Sequence, residues 1–400
     1  MDKNNNIRKS EFLEQIIKLQ SQVSALYIYG AGIFANNILK FLRKNNIKVK
    51  AFIVSKRDVE DTFDIPIVEV KDVVGDHSVG IILGLNQHNA REIKVYLSQR
   101  GFPDGNIIDG GNYLENGGER LGFAGDAIME ITVRIGCSIH CRFCPQDLLL
   151  KNYYKGDKNR ASVMTLDTFR ECLEKIPKNV GIVFSGFAEP LSNPECMKMM
   201  ELACSEKRNV DLFTTLVGAD METVKKISAL PLNYVGLHCA DKYGHAKIPA
   251  DEDYYEKVKF FLSCKKRGTD RPLVDFCNTQ VEPNERIAEI ISGKYEVGTA
   301  LFDRAGNLEG EGLVRKKNLH GRLKCSMCGE LTNRNVLLPD GTVVLCCMDY
   351  GLMHLIGNLK TSTYEEVQNG KESQRIRDGL NGNEDVPLLC RSCSCAREVA

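Results

Sequence analysis

The sequence predicts an α/β protein in three parts: a parallel-sheet module, a partial (β/α)6 barrel, and a small cysteine-rich cap. Three observations carry this. Apolar strands alternate with amphipathic helices to about residue 110, a second such alternation runs from Met129 to about Asp303, and all 16 cysteines lie at or after Cys137. At roughly 150 residues per domain, 400 residues leave room for two or three domains, and 43% apolar residues suffice for packed cores. The 53 basic and 53 acidic residues cancel, so no overall positive field would hold a nucleic acid. No apolar run reaches the roughly 18 residues of a membrane span, and the polar start (Met1 to Ser10) has no apolar h-region. A cytoplasmic protein is expected, and clustered cysteines in such a chain read first as metal ligands.

The first part opens with an amphipathic helix over residues 7–23 (Phe12, Ile16, Ile17, Leu19). An apolar strand from Ala25 then runs into the turn Gly30-Ala31-Gly32-Ile33-Phe34-Ala35. A helix over 36–45 and a strand over 49–54 complete a βαβ unit, and the strands at 65–68 and 79–85 with a helix over 89–100 extend it. Gly30, Gly32 and Ala35 stand in the strand-turn-helix setting of a Rossmann-like dinucleotide fingerprint. The acidic ribose ligand is missing, because Val54-Ser55-Lys56-Arg57 occupies its place, so bound NAD is not expected. Nucleotide or nucleotide-sugar binding and a purely structural turn both remain open. The segment resembles small Rossmann-like modules attached to enzymes of bacterial surface-sugar biosynthesis.

A glycine- and asparagine-rich stretch from Gly110 to Glu119 marks the boundary, dividing the chain into a module at 1–118, a core at 119–319 and a cap at 320–400. In the core, strands are predicted at 130–134, 181–185, 211–215, 234–238, 273–278 and 299–302. Helices are predicted at 165–175, 194–205, 221–228, 254–266 and 284–292. This makes about six βα units.

Directly after the first core strand, Cys137, Cys141 and Cys144 stand at x3 and x2 spacing in one loop. Three thiolates can hold three irons of a 4Fe-4S cluster and leave the fourth open. A structural zinc is the competing reading, but it wants four ligands, and no second pair follows before Cys172; only His140 is near enough to complete a set. The Cys-x3-Cys-x2-Cys loop, with Phe143 before its last cysteine, resembles the radical S-adenosylmethionine superfamily over about residues 129–310. The resemblance implies a radical-SAM barrel whose unique iron takes the amino and carboxylate groups of S-adenosylmethionine. Cys172, Cys196, Cys204, Cys264 and Cys277 read as small buried hydrophobes, as does Cys239, although it stands at a strand end where barrels place chemistry.

The turn Ser185-Gly186-Phe187-Ala188-Glu189-Pro190 departs from the superfamily's Gly-Gly-Glu-Pro turn by a serine and two intervening residues. By resemblance Gly186 and Glu189 bind the cosubstrate's ammonium group; an ordinary surface turn is the alternative. Thr214, Thr215, His238 and Arg304 stand at later strand ends. Thr215 suits ribose or methionine, Arg304 a carboxylate or phosphate, and His238 proton transfer, while structural polar roles remain open for each.

The last region holds Cys325, Cys328, Cys346, Cys347, Cys390, Cys393 and Cys395. A hairpin turning at Pro339-Asp340-Gly341 brings Cys328 near Cys346, and Cys390 with Cys393 completes four thiolates, enough for a second 4Fe-4S cluster or a zinc ribbon. Cys325, Cys347 and Cys395 are alternative ligands. Cys-x12-Gly-x4-Cys from Cys328 through Gly341 to Cys346, with Gly357-Asn358-Leu359, resembles a SPASM/twitch auxiliary-cluster domain. With only Cys395 left after Cys393, one auxiliary cluster is expected.

The resemblances together imply an oxidoreductase- or isomerase-type radical enzyme. It would generate a 5′-deoxyadenosyl radical and abstract hydrogen from a small-molecule or glycan-precursor substrate, namely a sugar, nucleotide sugar or surface-polysaccharide precursor. A flavodoxin- or ferredoxin-type protein would supply electrons. A peptide-modifying maturase is the alternative enzyme, and a zinc or electron-transfer scaffold the alternative of another class.

Overall fold

The computed structural model describes residues 3–31, 33–55, 65–74, 78–85, 87–110, 127–279, 281–292, 297–298, 302–308, 318–328 and 332–399. The chain forms two compact units, Met1–Glu119 with Glu309–Leu319, and Arg120–Leu308 with His320–Ala400.

The first unit is a five-stranded parallel sheet with helices on both faces. Its elements are α1 (Lys3–Gln20), β1 (Ala25–Tyr29), α2 (Ile33–Lys44), β2 (Ala51–Val54), β3 (Ile67–Glu69), β4 (Val79–Leu83), α3 (Gln87–Ser98) and β5 (Ile107–Asp109). The order β3-β2-β1-β4-β5 reverses direction at β1, as in doubly wound sheets. Phe12, Ile16 and Leu19 of α1 join Ile38 and Leu42 of α2 on one face, while Ala90 and Leu97 of α3 cover the other. Gly30 takes φ +102, the left-handed conformation its turn requires. A Cβ on Gly84 would sit 2.6 Å from the Ala35 backbone, so Ala35 and Gly84 are small because α2 lies directly on β4. Gly32 and much of the linker lie outside the described residues.

The second unit begins β6 (Ile128–Ile131), α4 (Gln146–Tyr153), α5 (Leu166–Lys175), β7 (Gly181–Phe184), α6 (Cys196–Ser205), β8 (Val210–Thr214), α7 (Met221–Ser228), β9 (Tyr234–His238), α8 (Glu252–Ser263), β10 (Phe276–Asn278), α9 (Glu285–Ile291) and β11 (Val297–Gly298). The six strands β6 to β11 pair in parallel and in chain order, the partial (β/α)6 barrel. Helix starts follow side-chain caps: Thr165 accepts from Thr168 N–H, Asp220 from Thr223 N–H and Asp251 from Tyr254 N–H.

Several boundaries differ from the sequence expectation. The first core strand ends at Ile131, and Arg134 makes only an isolated bridge to Val163. Leu273 and Val274 are buried but precede the ladder, which starts at Phe276. The last strand is at 297–298, and residues 299–301 of the expected one lie outside the described residues. Helix α4 was not anticipated.

The cysteine-rich segment continues this same unit. It contributes β12 (Leu323–Cys325), β13 (Arg334–Leu337), β14 (Thr342–Val344), β15 (Leu355–Asn358), α10 (Tyr364–Asn369), α11 (Lys371–Leu380) and β16 (Ala396–Glu398). Strand β13 pairs in parallel with β6, and β14 and β15 follow antiparallel, extending the barrel sheet to nine strands. Strands β12 and β16 pair separately and set Cys325 opposite Ala396. No helix among the described residues is long and apolar enough to cross a membrane.

Candidate active site

The loop carrying Cys137, Cys141 and Cys144 leaves the C-terminal end of β6 through Gly136 at φ +86 and turns sharply at His140, φ +44. Buried Ile139 anchors it, and Lys247 N–H and Arg142 N–H tie it to the loop after β9 through Ile139 O and His245 O, each at 2.7 Å. That second loop is organised by buried Asp241, which accepts from the backbone of Tyr243, His245 and Ala246. Phe143 packs edge-on against His245 at 5.3 Å, so its visible role is to hold the two loops together.

The three thiols face the barrel end in unequal settings. Cys141 and Cys144 are hydrogen-bonded to each other, which pushes Cys144 down to about 6 and Cys141 up. Arg304 and the Tyr350 hydroxyl, 3.5 Å from Cys144 Sγ, also favour the Cys144 thiolate. Burial pushes Cys137 up, while the Glu189 N–H donates to its sulfur at 3.4 Å. Backbone and guanidinium donors around three sulfurs on one loop are the environment an anionic iron-sulfur cluster needs. The donor set fits the cluster.

Glu189 and Thr215 come together, but they satisfy one another. Glu189 Oε1 accepts from Thr214 Oγ1 (2.6 Å) and Leu191 N–H (3.1 Å); Oε2 accepts from Thr215 N–H (2.6 Å) and Thr215 Oγ1 (2.7 Å). Burial pushes this carboxyl up, against the pull of those four donors. Gly186, at φ +74, has its Cα so close to Thr132 that a Cβ would lie 2.1 Å from Thr132 Oγ1. The next residue's N–H donates to that same hydroxyl at 3.0 Å. Cys239 is buried and hydrogen-bonded to Cys277, and burial beside Arg304 pushes His238 down to about 4, leaving its ring neutral near pH 7.

Arg304 lies in the left-handed region (φ +51), with its guanidinium 5.5 Å from the Tyr350 ring. It shares this end of the barrel with Glu130, which sequence reasoning missed. Glu130 sits mid-strand in β6, buried, and accepts from Ser185 Oγ at 2.9 Å. Its signal was legible: one carboxylate inside the otherwise apolar run Ile128-Met129-Glu130-Ile131. Tyr350 carried no local signal.

The second constellation assembles from three segments. Cys325 and Cys328 are hydrogen-bonded, which pushes Cys325 down to about 6, and Cys328 lies in the electrostatic field of Cys346 and Cys390. Cys346 in turn faces Cys390 and Cys393, and Cys390 faces Cys325. Cys325 is therefore as well placed as Cys328, the residue the spacing favoured. Cys395 N–H donates to Cys393 Sγ at 3.4 Å. Buried His354 steadies the Cys390 turn: its Nε2 accepts from Leu389 N–H at 3.1 Å, while Nδ1 faces Glu372 at 2.7 Å. Among the described residues no group of three or more His, Cys, Asp or Glu side chains closes around the position of a single metal ion.

Residues 328–394 match the SPASM family, described as an iron-sulfur cluster-binding domain. No curated protein matches the sequence. Among solved structures, the chain is similar to BtrN in complex with AdoMet and 2-DOIA (15% identity, TM-score 0.45, covering 67% of this chain and 92% of that one). It is also similar to Streptococcus suis SuiB bound to the precursor peptide SuiA (13% identity, TM-score 0.43, 76% and 81%). A third is anSMEcpe with bound AdoMet and Cp18Cys peptide (14% identity, TM-score 0.38, 64% and 84%).

Proposed function

We infer that this chain, which carries a SPASM iron-sulfur cluster-binding domain over residues 328–394, works as a radical S-adenosylmethionine enzyme. The observation that carries the reading is the thiol loop at the mouth of a six-stranded parallel barrel, with Arg304, Tyr350 and the Glu189 N–H gathered on its sulfurs. Cys137, Cys141 and Cys144 would hold a 4Fe-4S cluster which, once reduced by a flavodoxin- or ferredoxin-type carrier, would supply the electron for cleaving S-adenosylmethionine to methionine and a 5′-deoxyadenosyl radical. Cys328, Cys346, Cys390 and Cys393, with Cys325 as the alternative to Cys328, would hold an auxiliary 4Fe-4S cluster.

The chain's own residues position and insulate this chemistry. Gly186 lets the strand-end backbone pass close to Thr132, and Glu189, locked by four donors, fixes the wall beside Cys137. The strand-end backbone around Gly186 is the receptor for the cosubstrate's ammonium group; Glu189, its oxygens already taken by four donors, holds that backbone in place, and Thr215 acts through Glu189. Arg304 offers a cation to a carboxylate or phosphate. The substrate is a sugar, nucleotide sugar or other surface-polysaccharide precursor, oxidised or epimerised at carbon. The doubly wound sheet of the first unit, with its glycine turn at Gly30, supports that choice. The three functional segments are 1–118, 119–319 and 320–400.

Anaerobic reconstitution tests the reading. Wild-type protein should carry about eight irons per chain and release 5′-deoxyadenosine from S-adenosylmethionine, and Cys141→Ala should release none. Deoxyadenosine from that variant would remove the cofactor assignment. A thermal shift of the whole chain with nucleotide sugars tests the substrate class; a shift with peptides alone would replace it.

A further inference from the structure

The two loops that meet at the barrel mouth also make one exposed face beside the thiols. Backbone bonds from Arg142 N–H to His245 O and from Lys247 N–H to Ile139 O join them. Around that seam His140, Arg142, Lys242, Tyr243 and Lys247 are all exposed. Gly244, at φ +64, makes the tip of the second loop, and the space a Cβ would take there is open. Beside it Tyr243 is 59% exposed, more than any other large hydrophobic residue among the described residues. From its ring a stack runs inward. The Tyr243 and His245 rings lie 5.4 Å apart, those of His245 and Phe143 5.3 Å apart, and Phe143 is bonded to Cys144.

The charge on this face is positive. Neither Arg142 nor Lys247 has a carboxylate partner among the described residues, and the Arg142 guanidinium reaches the His245 ring at 3.4 Å. Glu282 is taken by Lys242 at 3.2 Å and by the Tyr243 hydroxyl at 3.0 Å, while Asp241 is buried beneath, accepting from the loop backbone. The chain as a whole carries no net charge, so the attraction is local to this face.

We propose that this face, centred on Tyr243 and rimmed by Arg142 and Lys247, is the docking surface for an acidic one-electron carrier protein, whose redox centre sits opposite the ring stack. This deepens the radical reading and rests on it. An exposed tyrosine with an arginine at hand is the composition of an interface centre, and unpaired cations around it select an acidic partner and speed its arrival. Electron-transfer encounters are small, so a face built from two loops suffices. One electron leaves the reduced carrier and enters through the thiol loop; no atom is exchanged and no proton moves.

Binding and turnover of the reconstituted whole chain test this. The probe is a purified acidic flavodoxin kept reduced by its own reductase, and dithionite is the reductant that needs no docking face. In interferometry Lys247→Glu and Tyr243→Ser should each weaken flavodoxin binding about tenfold. Wild-type binding should weaken as salt rises from about 50 to about 300 mM. The half-saturating flavodoxin concentration for 5′-deoxyadenosine release should rise in step, while dithionite-driven release and iron per chain stay at the wild-type level in both variants. Unchanged flavodoxin binding in both variants, equal loss of release with both reductants, or a wild-type chain that flavodoxin neither binds nor reduces would each overturn the docking face. Dithionite-driven deoxyadenosine would leave the radical reading standing in those cases; none with either reductant would remove that reading as well.

Discussion

Gly186→Ala should destabilise the barrel unit, and the cost can be worked from its surroundings. The new Cβ would lie 2.1 Å from Thr132 Oγ1 and 3.2 Å from Thr132 Cβ, and Thr132 is fully buried. Thr132 cannot swing aside freely, because its N–H bonds Leu337 O at 2.9 Å and its hydroxyl accepts from Phe187 N–H at 3.0 Å. Overpacking of this kind costs about 1–3 kcal/mol. Holding alanine at φ +74 adds about 1–2 kcal/mol. The sum, about 2–5 kcal/mol, should lower the melting temperature by roughly 4–20 °C, followed by calorimetry of the intact chain. Thr132→Ala in the Gly186→Ala background removes the 2.1 Å contact and should recover part of the loss, the remainder being backbone strain and the orphaned Phe187 N–H. A single variant melting within about 1 °C of wild type would refute the reasoning.

The other predictions concern charge and latching. Burial pushes Asp211 up to about 6 from 3.8, so the folded state binds more protons than the unfolded one between those values. Its contribution is full below pH 3.8 and is lost as pH rises through 6; Asp211→Asn should therefore melt higher than wild type at pH 7.5, by up to about 3 kcal/mol, with the gap closing towards pH 4. A constant gap across that range would contradict the assignment. Arg160 joins Asp340 Oδ2 at 2.7 Å and Thr342 Oγ1 at 3.0 Å and stacks on Tyr153 at 4.0 Å, tying the barrel to the β13–β14 turn. Arg160→Met should cost about 1–3 kcal/mol in denaturant titration, and a change below about 0.5 would show the latch to be idle. His354→Phe leaves Leu389 N–H unpaired beside Cys390, and reconstituted iron should fall toward the Cys346→Ala level; full iron loading would deny His354 a part in shaping the turn.

Much of this architecture is legible in local sequence. Buried parallel strands such as Gly181–Phe184 and Val210–Thr214 are near-continuous apolar runs, and threonine and aspartate caps mark where the helices start. The first thiol loop is legible because its ligands are close in sequence. Helix α4 was not, since eight residues beginning behind Pro145 give little periodicity. Pairing of β13 with β6 joins segments roughly two hundred residues apart, and no local pattern encodes it. The same holds for the site. Spacing offered Glu189 and Thr215 as separate ligands, but tertiary placement bonded them to each other. Tyr350 meets Cys144, and Cys347 meets Glu130, only because the cysteine-rich segment lies on the barrel sheet.

The central claim is that Cys137, Cys141 and Cys144 bind a cluster with one iron open to S-adenosylmethionine. Electron paramagnetic resonance of anaerobically reduced Cys346→Ala, in which only the loop cluster remains, addresses it most directly. The account predicts a reduced 4Fe-4S signal that shifts on addition of S-adenosylmethionine and shows hyperfine coupling to its nitrogen-15-labelled amino group. A signal unmoved by S-adenosylmethionine, or a protein that returns zinc in place of iron, would contradict it.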